Sequence, residues 1–204
     1  ALEISDAAAN IGAIIRASAG IDSSSVSLNA LKENLDNSLK LYADVILNPS
    51  FPINELERLR NQRLAQIQQE KNQPFGIALR ILPRLLYGDD HAYSLPLTGS
   101  GTEVSVKNIT QDSLIQFHQD WFKPNNASMV VVGDITMNEI RPKLEKYFKN
   151  WVPGTLQQKN IAPVEIQKNE TIYLIDRPGA QQSIVLAANI APSPANSDEL
   201  AVES

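Results

Sequence analysis

Apolar residues recur at helical spacing from the start of the chain, through Ile4, Ala7, Ala8, Ile11 and Ile15, with Gly20 beyond them as a break. This spacing predicts one amphipathic helix packed by a single face. In residues 24–30 the rhythm changes, because Val26, Leu28 and Ala30 alternate with polar neighbours, which predicts a strand with one wet face. Asn34 or Asp36 then caps a helix carrying Leu39, Ala43, Ile46 and Leu47, stopped at Asn48-Pro49 because proline lacks an amide hydrogen. A capping-box pattern, Asn54 with Glu57, opens the next helix, whose buried stripe is Leu56, Leu59, Leu64 and Ile67 and which ends near Glu70. Pro74 separates it from a shorter helix through Ala78, Leu79, Ile81, Leu82 and Leu85, ending near Gly88.

Residues 88–109 are rich in Gly, Asp, Ser, Thr and Pro and read as one long loop. Thr110 caps a helix with Leu114, Phe117 and Trp121 on one face, and residues 127–132 supply a strand bounded by Gly133-Asp134. Thr136 and Glu139 repeat the capping box ahead of Ile140, Leu144 and Phe148. Two further strands are expected at 171–175 and 183–190, joined by the turn at Arg177-Pro178-Gly179. The expected organisation is a body over 1–150, a linker over 151–168 and the start of a second unit over 169–204. Its fold class is α+β, with helices packed on a mostly antiparallel sheet.

Composition narrows the function. At 43% hydrophobic and 20% charged, the 204 residues are those of a folded chain. The net charge of -5 argues against nucleic acid as a partner, since a phosphate backbone is gripped by a cationic surface. The absence of cysteine removes disulfides, thiolate ligands and Cys nucleophiles together, and no apolar run is long enough to span a membrane. Gly99-Ser100-Gly101-Thr102 lacks the lysine and following helix of a phosphate loop. Arg58, Arg60 and Arg63 share a helix with Glu55 and Glu57 and read as a solvated face with local ion pairs. Tyr42, Trp121 and Phe122 read as core or core rim. His91 and His118 read as a loop contact and a helix-surface residue rather than as ligands.

Several segments together resemble one family. They are residues 1–13, the block 42–51 (Tyr-Ala-Asp-Val-Ile-Leu-Asn-Pro-Ser-Phe), the helix 55–67, the Tyr-Gly-Asp-Asp-His-Ala-Tyr loop 87–93, Gly101 ahead of Ile109-Thr110, the segment 125–134 and residues 176–183. In that order they resemble the insulinase/pitrilysin-type zinc peptidases, in the bacterial, processing-peptidase-like subgroup. The resemblance implies an active-site chemistry in which an inverted His-x-x-Glu-His helix and a later Glu hold zinc and acidify its water. It also implies that this sequence begins after that first motif, so the body lacks its N-terminal strands and metal motif.

The position matching the distal Glu ligand is Gln66, and an amide is a poor substitute for a carboxylate on zinc. Glu70, one turn further on, is an alternative register outside the family's pattern. On the resemblance the segment is a non-catalytic structural and peptide-binding domain with no cofactor of its own, zinc belonging to active relatives or to a partner half. The expected partners are a peptide or unfolded polypeptide and a zinc-bearing homologous half. Alternative readings are a fragment of a full-length zinc metalloendopeptidase, or a non-enzymatic assembly protein. Peptide capture by an exposed strand edge would fall on Ser24, Val26 and Leu28, whose bland reading is an ordinary amphipathic strand. Residues 180–183 match a segment at the start of the family's second domain, though turn and strand construction also accounts for them. Cytoplasm and periplasm both fit, the periplasm being favoured.

Overall fold

The computed structural model describes residues 2–164 and 171–191. The chain divides into two units, one from residues 1–57 and 109–158, the other from 58–108 and 159–204. The architecture is α+β, with helices packed against a small antiparallel sheet.

In the first unit, helix α1 (Leu2–Asn10) is followed by strands β1 (Ile14–Ala19) and β2 (Ser24–Asn29). The helix expected to reach Ile15 stops five residues earlier. Gly12 adopts φ +64°, a left-handed conformation that L side chains resist, and so turns the chain out of the helix. Ile14 and Ile15 then enter the sheet, pairing with Asn29 and Leu28 in an antiparallel register that ends at Ala19 opposite Ser24. Ile15, Val26 and Leu28 form its partly covered face, whereas Ile14, Arg16, Ser25 and Ser27 are exposed.

Helix α2 (Leu35–Leu47) packs on β2 and on α7 (Met137–Phe148). Leu39, Ala43 and Ile46 of α2, Ile140 of α7, and Ala8 and Ala13 are the buried apolar residues here. Asn34 holds the N-cap position of α2 but does not cap it with its side chain. Its amide instead donates to the Ile11 carbonyl at 3.0 Å, tying α2 to the turn after α1. Helix α6 (Gln111–Trp121) opens with the Thr110 cap, whose hydroxyl accepts from the Ser113 amide. The Thr136/Glu139 capping box of α7 is likewise present. Phe117, expected on the buried face of α6, is half exposed.

Helix α3 (Ile53–Asn72) starts at the end of the first unit and runs mostly in the second. It begins one residue before the expected Asn54 cap, with the Leu56 amide donating to the Pro52 carbonyl. Helix α4 (Pro74–Tyr87) follows almost at once, with Pro74 in its first turn, where a missing amide hydrogen costs least. Pro83 inside α4 cannot donate to the Leu79 carbonyl. The Leu97 amide takes that carbonyl at 3.1 Å, which fastens the following loop along the helix. The stretch expected to be a long loop also contains α5 (Glu103–Asn108), held by Val106 in the core and by Glu103, which pairs with Lys71 and accepts from Gln68 at 2.7 Å.

The strands expected at 127–132, 171–175 and 183–190 join no ladder among the described residues. Their exposure still alternates as a strand's would: Ile172 96%, Tyr173 50%, Leu174 93% and Ile175 48%. The residues are strand formers, but a strand needs a partner's amides and carbonyls, and none among the described residues supplies them. The remaining expectation, a linker continuing through 165–168, falls in part outside the described residues.

Candidate functional site

Gln66 lies exposed near the middle of α3, where the i, i+3 and i, i+4 rows of the helix bring Arg63 and Glu70 beside it. Its oxygen accepts from Arg63 at 3.0 Å and its amide nitrogen donates to Glu70 Oε1 at 3.1 Å. Both ends of the amide are therefore engaged. Glu70 is itself committed. Its Oε2 takes Arg80 at 2.7 Å, the Ser100 hydroxyl at 2.7 Å and the Thr98 hydroxyl at 3.1 Å. Arg80 completes the cluster by donating to Ser100 Oγ at 2.7 Å and to the Gly101 carbonyl at 2.9 Å.

The Glu70 and Arg80 side chains are only 12% and 11% exposed, and Ser100 is buried. Burial pushes the Glu70 carboxyl upward, but the Ser100, Arg80 and Thr98 hydrogen bonds and the Arg80 charge outweigh it and hold it below its ordinary value. Glu70 is thus a structural anion that pins residues 98–101 to the end of α3. A metal ligand needs free lone pairs, and those of Glu70 are taken. The alternative ligand register at Glu70 therefore does not fit the arrangement.

The two histidines sit in different units and each faces its own unit's backbone. His118, expected on the helix surface, is partly buried. Its Nε2 is 2.7 Å from the Ile46 carbonyl, and its ring stacks on Phe122 with centroids 4.8 Å apart. With Phe51, Phe122 and Trp151 it lines a cavity of about 360 Å³. His91 stacks on Tyr87 at 5.2 Å in the loop after α4. Among the described residues no group of three or more His, Cys, Asp or Glu could hold a metal ion. The residues around Gln66 do not fit zinc.

Arg60 also departs from the expected solvated face. It donates to the Val106 carbonyl, and to the Lys107 carbonyl at 3.0 Å, so a cation closes the C-terminal end of α5. Sequence reasoning missed this role and that of Arg80, because each depends on a backbone carbonyl more than twenty residues away.

The proposed edge residues Ser24, Val26 and Leu28 lie on β2, which pairs with β1 alone among the described residues. Val26 and Leu28 are half covered and Ser24 is exposed. The partly buried Tyr42 hydroxyl donates to the Val26 carbonyl at 2.8 Å, so one acceptor in the middle of the strand is already occupied. Burial raises the Tyr42 hydroxyl's pKa, keeping it a neutral donor.

Residues 1–96 match the family described as insulinase (peptidase family M16), and residues 108–203 match the peptidase M16 inactive domain. A Bacillus subtilis protein named as an uncharacterized zinc protease, YmxG, is 26% identical over 151 residues, 74% of this chain and 36% of that protein. The crystal structure of a peptidase M16 inactive domain from Pseudomonas fluorescens superposes with TM-score 0.72 at 27% identity, over 81% of this chain and 40% of that one. The periplasmic protease PqqL from Escherichia coli shares the fold, with TM-score 0.59 at 19% identity over 75% of this chain and 17% of that one. The chain spans about a third of the length of the curated relative described.

Proposed function

Because the chain belongs to the M16 insulinase-type peptidase superfamily, we propose that it serves as a non-catalytic, structural and peptide-binding part of a zinc peptidase system. The carrying observation is Gln66. Where the family resemblance calls for a carboxylate ligand, this chain has an amide whose two ends are bonded to Arg63 and Glu70. Zinc, which would acidify a water for attack on a peptide carbonyl, belongs on this reading to another half of the system. The division into a body over 1–150, a linker and the start of a second domain over 169–204 forms part of the same proposal. A periplasmic location is also proposed, on the likeness of fold to a protease named as periplasmic.

What this chain's own residues contribute is a strand edge. An extended peptide adds to a sheet by backbone hydrogen bonds, and β2 offers Ser24, Val26 and Leu28 on one face. A second reading, a fragment of a full-length zinc metalloendopeptidase, is favoured by the Bacillus relative named as a zinc protease. A non-enzymatic assembly protein remains a third alternative.

Two measurements test the proposal. Metal analysis of the purified chain at micromolar zinc is expected to find no stoichiometric metal. One tightly held zinc per chain, lost on replacing Gln66 or Glu70, would overturn it. Hydrogen exchange with an added unstructured peptide such as reduced, alkylated lactalbumin is expected to slow amides within 24–29. Protection confined to other elements would remove β2 as the binding edge.

A further inference from the structure

The imidazole of His91 has both nitrogens committed. Nδ1 accepts from the Tyr93 backbone amide at 3.1 Å, and Nε2 lies 2.9 Å from the Ala162 carbonyl. A carbonyl oxygen can only accept and a backbone amide can only donate. The proton of the neutral ring must therefore sit on Nε2, and Nδ1 must be bare. Tyr87 stacks on the ring at 5.2 Å, and Tyr93 lies tilted at 5.7 Å. Ser94 closes the turn through its amide and hydroxyl, both donating to the His91 carbonyl.

Segment 159–164 gains its one hydrogen bond among the described residues from this ring. From this the geometry points to His91 as a proton-sensitive clasp that holds the chain at Ala162 against the 87–93 loop and releases it when the ring is protonated. A second proton can go only on Nδ1, where it meets the Tyr93 N–H head-on, donor against donor. Rotation of the ring relieves that clash and carries Nε2 off the Ala162 carbonyl.

The charged surroundings offer the imidazolium little in return. Asp89, two residues back, is held by the Arg84 guanidinium, with Nε at 2.8 Å. Among the described residues no carboxylate is bonded to the ring, the remaining nearby acid being Asp90 in the same loop. The 159–164 segment carries one charged residue, Lys159, and no acid that could pair with an imidazolium. Tyr87 and Tyr93 attract a cation through their ring faces, but that attraction does not restore the acceptor that Nδ1 loses to the Tyr93 N–H. The tie between Arg177 and the Asn72 carbonyl, at 2.6 Å, does not titrate and persists. The clasp thus governs residues 159–164 and leaves that second anchor in place.

Nitrogen-15 NMR on the full chain tests the clasp. Long-range ring spectra at about pH 8 are expected to show the Nε2–H tautomer at His91, and an Nδ1–H tautomer overturns the proposal. As pH falls from about 8 to about 5, heteronuclear NOEs of 160–162 and 164 are expected to drop from rigid to flexible values in step with the ring. His91→Phe keeps the stack on Tyr87 and removes both hydrogen bonds, so the same residues should be flexible at every pH. NOEs that stay constant through the ring's titration, or that fall equally with pH in His91→Phe, overturn the proposal.

Discussion

At the scale of single residues, the Glu70 cluster decides more than the vacant chemistry around it. A buried ion pair is costly to break, because the survivor is left charged and unpaired. Arg80→Ala is expected to lower unfolding stability by about 3 kcal/mol in a urea titration. The pH dependence has a definite sign. The Glu70 carboxyl is held below its ordinary value, so its contribution is fully present above the unfolded-state carboxyl pKa. It is lost as pH falls through the folded-state value, and Glu70→Gln should flatten that acid limb. Gln66→Glu supplies the residue type that the resemblance implies but sets a second carboxylate beside Glu70, where an amide now donates. A loss of about 0.5 kcal/mol is expected in neutral urea titrations, small because Gln66 is exposed, and it should shrink at acid pH. A gain of zinc is not expected, since Glu70 stays bound to Arg80.

At the scale of elements, the junction between α3 and α4 leaves no room at Gly76. A Cβ on Gly76 would sit 2.3 Å from the Glu70 carbonyl oxygen, closer than atoms can approach. Gly76→Ala must therefore spread the two helices and disturb Glu70, the same residue whose carboxylate anchors Arg80, Ser100 and Thr98. A destabilisation of about 1–3 kcal/mol is expected, checked by thermal unfolding. The capping boxes at Thr110 and Thr136 behave more simply, and either Thr→Ala change should cost about 1 kcal/mol. The Thr110 cap and the Thr136/Glu139 box could be read from sequence because donor and acceptor lie three residues apart on one stretch of chain, whereas α3 starts at Ile53 rather than behind the expected Asn54 cap. The end of α1 could not. Ile11 and Ile15 fit a helix face, but they equally fit a strand's start, and Gly12 at φ +64° settles the matter.

At the scale of the whole molecule, the apolar alternation of 171–175 and 184–186 stands largely in solvent, with Leu174 at 93% and Val185 at 92%. Exposed strand-forming runs of this kind drive self-association. Replacing Ile172, Leu174 and Val185 with Lys or Thr should leave thermal stability of the chain nearly unchanged while reducing light scattering at high concentration. Loss of stability on these changes would mean that the side chains are packed.

The sequence alone determined what depends on near neighbours: the helices carried by 35–47, 54–70 and 111–121, the Thr110 cap and the Thr136/Glu139 box, the helical breaks at prolines, and the family resemblance, which implies a carboxylate where Gln66 stands. Those features arise from contacts within a turn or two, which the order of residues already contains. Tertiary structure alone decided that Glu70 answers to Arg80, Ser100 and Thr98, that Arg60 closes α5, and that His91 reaches Ala162. It also decided which strand-forming runs find a ladder. Hydrogen bonds and charges act over a few ångströms, and only folding brings residues ten to seventy positions apart within that reach.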